Sequence, residues 1–258
     1  MRASSFCSAT VRTATLVTFS AVLAGCGVQT QTAPEPEYTD FPDAPTQKMA
    51  PLKAGANPAS GPIAELADSE WVQTTAARTG ISERALTAYA GASLRVHHDN
   101  PQCNLGWNAI AGIGAVETAH GTFQGASVDE QGSVTPHIRG VALNGDEGVM
   151  AIEDTDDGVL DGDRNWDRAV GPMQFIPSTW ESLGQDGNDD GTRDPHQIDD
   201  AALAAAVHLC EGAVENERQG DVSVNDSWHS AVYSYNRSRR YAHQVTDYAN
   251  HYADEETS

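Results

Sequence analysis

Apart from the N-terminal segment, the most apolar stretch of the chain runs from Leu105 to His120, and from Ala109 to Val116 no polar residue appears. A helix that is apolar on every side has no face to offer water, so it has to be enclosed by other elements. This requirement constrains the fold most: the remaining helices must wrap around this one. The stretch ends Glu117-Thr118-Ala119-His120-Gly121, and Gly121 suits the left-handed position that closes a helix. A carboxylate is thereby carried to the end of a buried helix. Desolvation raises its pKa, and the negative pole of the helix disfavours its charge as well. Both effects keep a proton on Glu117 near neutral pH, as a general acid requires. Position alone fits a Glu that is merely satisfied at a helix end equally well.

The flanking sequence is helical too. Ala64 to Arg78 carries Leu66, Trp71 and Val72, and Ser82 suits the N-cap of a helix over Glu83 to Val96, with Ile81 as its staple residue. Ser178 to Leu183, Asp199 to Val214 and Ser227 to Tyr252 read as further helices. Residues 122–165 break the pattern: they are rich in Gly, Asp and Ser, with short strands expected at 133–142. An irregular stretch of this length inside a domain is uncommon and usually functional. The expectation is a mainly α domain with a long irregular insertion.

The formal charge is -22, from 37 acidic against 15 basic residues. A chain this acidic does not attract a polyanion, which excludes general nucleic-acid binding. At the N-terminus, Arg2 and Arg12 precede an apolar run from Thr13 to Leu23 that is short for a bilayer span. It ends Leu23-Ala24-Gly25-Cys26, which resembles a bacterial lipobox. Residues 1–25 are then a signal peptide, and Cys26 carries the lipid. An ordinary secretory signal is the alternative. Seven of the 12 prolines lie between Pro34 and Pro62, and residues 26–64 read as a semi-extended tether. Cys103 and Cys210 are the two cysteines left, an even pair in an exported chain, so a bridge is expected rather than two buried thiols.

Three segments, taken together, resemble the lytic murein transglycosylases of the membrane-bound B type. They are Gly112-Ile113-Gly114-Ala115-Val116-Glu117-Thr118-Ala119-His120-Gly121, then Gly171-Pro172-Met173-Gln174-Phe175-Ile176-Pro177-Ser178-Thr179-Trp180, then Tyr235-Asn236-Arg237-Ser238 followed by Tyr241. They occur in the family's order within residues 66–250. The resemblance implies a lysozyme-like, mainly helical catalytic domain, here 65–254, with Glu117 as its single acid. In such enzymes the acid protonates the glycosidic oxygen between N-acetylmuramic acid and N-acetylglucosamine. The same carboxylate then takes the proton of the muramoyl C6 hydroxyl, which attacks C1 and leaves a 1,6-anhydro sugar. No water is consumed, so the second carboxylate of hydrolytic glycosidases is not needed.

The resemblance also implies the sugar contacts. Residues 171–180 line the cleft. Gln174 offers a donor and an acceptor. Ser178 either orients Glu117 or caps the helix that follows it, while Met173 and Phe175 suit the core better than contact. Tyr235, Asn236 and Tyr241 match positions near the acid; half-buried packing is the alternative for the two tyrosines. Asn236 holds an acetamido group or stabilises positive charge at C1. Trp166 either stacks on a sugar or closes the core, and His120 either borders the cleft or does not take part.

Asp186-Gly187-Asn188-Asp189-Asp190-Gly191-Thr192 carries side-chain oxygens at positions 1, 3 and 5 and Gly at 6, the first half of an EF-hand loop. Thr192 offers its carbonyl. Position 12 is Gln197, a poor bidentate ligand, and the resembling family closes such a loop with a later Asp, matched here by Asp200. The expected cofactor is one structural calcium ion; an acidic turn that binds nothing is the alternative. The run Asp154, Asp156, Asp157, Asp161 and Asp163 lacks that glycine and suits a solvated or substrate-facing loop. His97-His98 suits the surface.

These readings imply a monomeric, lipid-anchored, extracytoplasmic enzyme acting on peptidoglycan. The alternatives are a hydrolytic muramidase, with Asp161 or Asp163 as second carboxylate, and a non-catalytic peptidoglycan-binding lipoprotein.

Overall fold

The structure is a computed structural model that describes residues 38–146, 149–215 and 218–257. The lipobox, Cys26 and the first part of the expected tether lie outside the described residues. The described chain is mainly helical: α1 (Ser69–Thr79), α2 (Glu83–Asp99), α3 (Trp107–Thr118), α4 (Pro177–Leu183), α5 (Ile198–Gly212), α6 (Asn225–Tyr235) and α7 (Arg239–Thr257). Three two-stranded antiparallel ribbons accompany them: β1 (Ser127–Val128) with β2 (Val134–Thr135), β3 (Arg139–Ala142) with β4 (Arg168–Val170), and β5 (Val214–Glu215) with β6 (Arg218–Gln219). No described helix is long and apolar enough to cross a membrane.

The apolar helix is the centre, as its composition requires. In α3 every residue from Trp107 to Gly114 is buried, against α7 on one side and α2 on the other. Trp107, Ile110 and Ile113 have no exposed surface, and full burial of such side chains contributes roughly 1.5–3 kcal/mol each. Only Ala115, Val116 and Glu117 emerge to half burial, so the helix opens to the surface where its carboxylate sits. The other helices follow from their caps. Asp68 accepts from the Glu70 and Trp71 N–H groups, and Gly80 closes α1 in the left-handed region. Ser82 accepts from Ala85 N at the start of α2, as expected. Cys103 and Cys210 are bridged, with Cα atoms 5.5 Å apart, which ties the segment before α3 to the end of α5.

Two expectations are corrected. The tether does not stay free as far as residue 64: from Tyr38 onward the chain lies along the helical body. Tyr38 stacks on His243 at 4.2 Å and Phe41 on His229 at 4.9 Å. The cause is an uncapped helix. α3 has no side-chain N-cap, and its first N–H groups are met instead by Gln47 Oε1, which accepts from Gly106 N at 2.8 Å, and by the Lys48 carbonyl, which accepts from Trp107 N at 2.9 Å. Asn108 completes the seam, accepting from Lys48 N and donating to the Thr46 and Ala249 carbonyls.

The expected single helix from Ser227 to Tyr252 is two, broken at Asn236–Ser238. Asn236 is extended (φ -146°, ψ 124°), and Ser238 Oγ accepts from Tyr241 N at 3.3 Å, starting α7 afresh. In residues 122–165 the short strands expected at 133–142 are present as β2 and β3. Beyond β1, β2 and β3, isolated bridges pair Asn144 with Ala151 and Glu153 with Trp166.

The acidic run of that insertion serves its own backbone. Asp154 accepts from the Asp156 and Gly158 N–H groups, Asp156 from Gly158 and Leu160, and Asp161 from Asp163 and Arg168. Carboxylates replace the missing strand partners, and such local side-chain bonds are how Asp favours turns.

Candidate active site

Glu117 lies in the last turn of α3. Its Oε1 accepts a 2.6 Å hydrogen bond from the Tyr241 hydroxyl, near the start of α7. Burial pushes the Glu117 carboxyl up to about 7, against the smaller lowering effect of the Tyr241 hydrogen bond. Among the described residues no carboxylate contributes to that shift, and Glu117 stands there as an isolated acid. The hydroxyls of Tyr241 and Tyr235 are held well above the usual range, first by burial and then by the Glu117 charge.

The two tyrosine rings lie parallel, 6.4 Å apart, and build one wall. Tyr235 donates to the Met173 carbonyl at 2.7 Å and packs against Phe175 and flat on His208 at 4.8 Å. Its hydroxyl is thus committed to the 171–175 turn, and only its half-buried ring remains for a ligand. Met173 and Phe175 are buried, as expected of core residues.

The turn itself needs Gly171. Its φ is +76°, and a Cβ there would lie 1.8 Å from the Pro195 carbonyl oxygen. Gln174 has φ 48° and donates Nε2 to the Gly171 carbonyl at 2.9 Å, while its Oε1 lies beside Gly140, 3.1 Å from where a Cβ there would stand. Thr118 welds this turn to the end of α3. Its hydroxyl donates to the Pro172 carbonyl at 2.7 Å and accepts from Gly121 N at 2.8 Å. Thr118 escaped the sequence reading because a Thr between a Glu and an Ala carries no local signal of a partner 54 residues away.

The structure therefore brings Glu117, Tyr241, Tyr235 and the turn bearing Gln174 together. Asn236 is exposed in the α6–α7 break beside Tyr235. Ser178 is exposed at the second position of α4 and does not cap it; Ile176 holds the cap position without a side-chain bond. Trp166 is half-buried on the edge of the insertion. Among the described residues, neither Ser178 nor Trp166 hydrogen-bonds or stacks with the Glu117 group. His120 turns inward to Tyr89 and Tyr252, away from a sugar-binding role.

In the 186–192 loop the oxygens serve backbone donors. Asp186 accepts from Asp190 N and Gly191 N, and Asp190 from Thr192 N. Asp200 is fully buried and accepts from the N–H groups of Gly187, Asn188 and Asp194. Burial pushes its carboxyl up to about 6, with the nearby Asp186 charge adding to the effect. Hard oxygens and a buried carboxylate beside a second one match calcium in donor chemistry. Among the described residues, however, the acidic oxygens that gather within 4.8 Å of one another are those of Asp154, Asp156 and Asp167, not those of Asp186, Asp190 and Asp200.

Fold and site together define a mainly helical domain with one isolated, proton-retaining carboxyl at a helix end opening to the surface. The family model of the transglycosylase SLT domain matches residues 149–224. That segment includes the Gly171–Trp180 turn and the 186–200 loop but neither Glu117 nor Tyr241. No curated protein and no solved structure matches the chain.

Proposed function

We propose that the protein is a peptidoglycan lytic transglycosylase with Glu117 as its acid and then its base. The observation that carries this reading is the Glu117 carboxyl, raised to about 7 and, among the described residues, hydrogen-bonded to Tyr241 on its Oε1. The proton then resides on Oε2, free to pass to the glycosidic oxygen between N-acetylmuramic acid and N-acetylglucosamine. As it leaves, the Tyr241 hydroxyl stabilises the carboxylate that forms. The muramoyl C6 hydroxyl attacks C1 as the C1–O bond breaks and returns its proton to Glu117, closing the cycle with a 1,6-anhydro end. On this reading Gln174, Tyr235, Asn236, Ser178 and Trp166 serve as sugar contacts, supported by the packing of the Tyr235 ring beside Tyr241.

The isolation of Glu117 favours this route over hydrolysis. Asp161 is buried and accepts from two backbone N–H groups. Asp163 is held below the usual carboxylate range by the Asn165 N–H and by Arg168, which it pairs with at 2.9 Å. Neither is a free second base.

As part of the same proposal, one structural calcium ion binds Asp186, Asn188, Asp190, the Thr192 carbonyl and Asp200 and braces the start of α5. The enzyme is an extracytoplasmic monomer, anchored by lipid at Cys26. Mass spectrometry of products from purified peptidoglycan is the test: 1,6-anhydromuramic ends are expected, and their loss in Glu117→Gln. Products one water heavier would replace this reading with a muramidase.

A further inference from the structure

Helix α3 ends in a costly way. Ala119, His120 and Gly121 all have positive φ, at 48°, 62° and 80°. A left-handed conformation costs a residue with a Cβ roughly 1–2 kcal/mol, and such turns persist only where the surroundings over-determine them. His120 supplies those surroundings. Its Nδ1 lies 3.2 Å from the Tyr89 hydroxyl on α2, and its Nε2 lies 2.9 Å from the Tyr252 hydroxyl on α7. Its N–H donates to the Gly114 carbonyl at 2.8 Å. The room comes from Gly114 itself, where a Cβ would stand 2.2 Å from the Tyr89 hydroxyl and 3.4 Å from His120 Nδ1. Burial lowers the His120 pKa to about 4, so the ring is neutral, with one nitrogen donating and the other accepting. Hydroxyls complement either role.

We propose that His120 is a positioning residue: its bridge from Tyr89 to Tyr252 holds the left-handed turn and so fixes the Glu117 carboxyl against Tyr241. The inference rests on Glu117 being the acid. α7 carries both Tyr241 and Tyr252, so the end of α3 meets the same helix at two points, once through the acid and once three residues beyond it. Proton transfer depends on placement within a fraction of an ångström. Among the described residues His120 bonds to Tyr89, Tyr252 and the Gly114 carbonyl and not to the carboxyl, so the effect passes through the backbone of residues 117–120. The groups facing Glu117 are the Tyr241 and Tyr235 hydroxyls, and those facing His120 are the Tyr89 and Tyr252 hydroxyls.

His120→Gly separates bridge from backbone, since glycine keeps the left-handed turn without strain. Tyr252→Phe removes one hydrogen bond and no volume of consequence. Both are assayed on peptidoglycan strands for kcat, KM and the pH–rate profile, beside melting temperature. His120→Gly is expected to lower kcat by roughly 10–100-fold with KM unchanged. The alkaline limb should move to lower pH as Glu117 gains water. Tyr252→Phe should show a smaller change of the same kind, and His120→Gln should recover part of kcat. A His120→Gly enzyme that melts earlier but keeps wild-type kcat and the wild-type alkaline limb overturns the proposal. Should His120→Gly fail to fold, Tyr252→Phe decides by the same criteria. Glu117→Gln is run in parallel. If it turns over, the acid reading itself is lost; if it is inactive while both other variants match wild type, only the positioning role is lost.

Discussion

The Tyr241 hydroxyl donates to Glu117 Oε1 at 2.6 Å across the contact between α3 and α7, 124 residues apart in sequence. This bond opposes the burial that raises the carboxyl. Tyr241→Phe removes it, so the Glu117 pKa should rise further and the alkaline limb of the pH–rate profile should move up. The carboxylate left after proton donation also loses its partner, which lowers kcat by about tenfold, since a hydrogen bond to a charged group contributes about 1.5–3 kcal/mol. An unmoved limb with unchanged kcat would remove Tyr241 from the mechanism.

Wild-type activity should be level below pH 7 and fall as pH rises through about 7, where Glu117 loses its proton. Stability follows the same proton. The folded pKa lies above the ordinary 4.5, so the carboxyl's contribution is full below about 4.5 and is lost as pH rises through about 7. Glu117→Gln should therefore be the more stable protein at pH 8, by on the order of 1–2 kcal/mol after allowance for partial exposure, and about equal to wild type at pH 4. Urea unfolding at the two pH values checks this.

The bridge between Cys103 and Cys210 closes a separation of 107 residues. Its reduction, or the double Ser substitution, should cost roughly 2–5 kcal/mol. Thermal unfolding with and without reductant measures the loss, and alkylation of both thiols in the native protein would contradict the bridge.

Calcium should raise the melting temperature, and more so at pH 8 than at pH 5. The reason is that Asp200, held up to about 6, is protonated in acid and then cannot ligate. Calorimetry with millimolar calcium on wild type and Asp190→Ala tests the site; no heat and no shift for wild type would leave an acidic turn. The missing Glu at position 12 sets the expected affinity near ~10⁻⁴–10⁻³ M.

What the sequence by itself determined is what depends on composition and local period. An all-apolar segment had to become the central helix, and α3 is that helix. Ser82 lies just before α2 as its cap, because its bond reaches only three residues, whereas the first helix starts at Ser69 behind Asp68 rather than at Ala64. Glu117 at the end of that helix, and a pair of cysteines in a chain read as exported, were equally legible. Tertiary structure decided what depends on partners far along the chain. Residues 38–62 look like a free tether until Gln47 and Lys48 are seen to meet the N–H groups that α3 leaves open. The break at Asn236–Ser238 interrupts a stretch whose helical pattern gives no warning, and it sets Tyr235 and Tyr241 parallel in one wall. Thr118 and His120 acquire their roles only from Pro172, Tyr89 and Tyr252. Periodicity reports which face of an element is apolar. A hydrogen bond between residues a hundred positions apart exists only after packing has brought both to one place, and no local pattern records it.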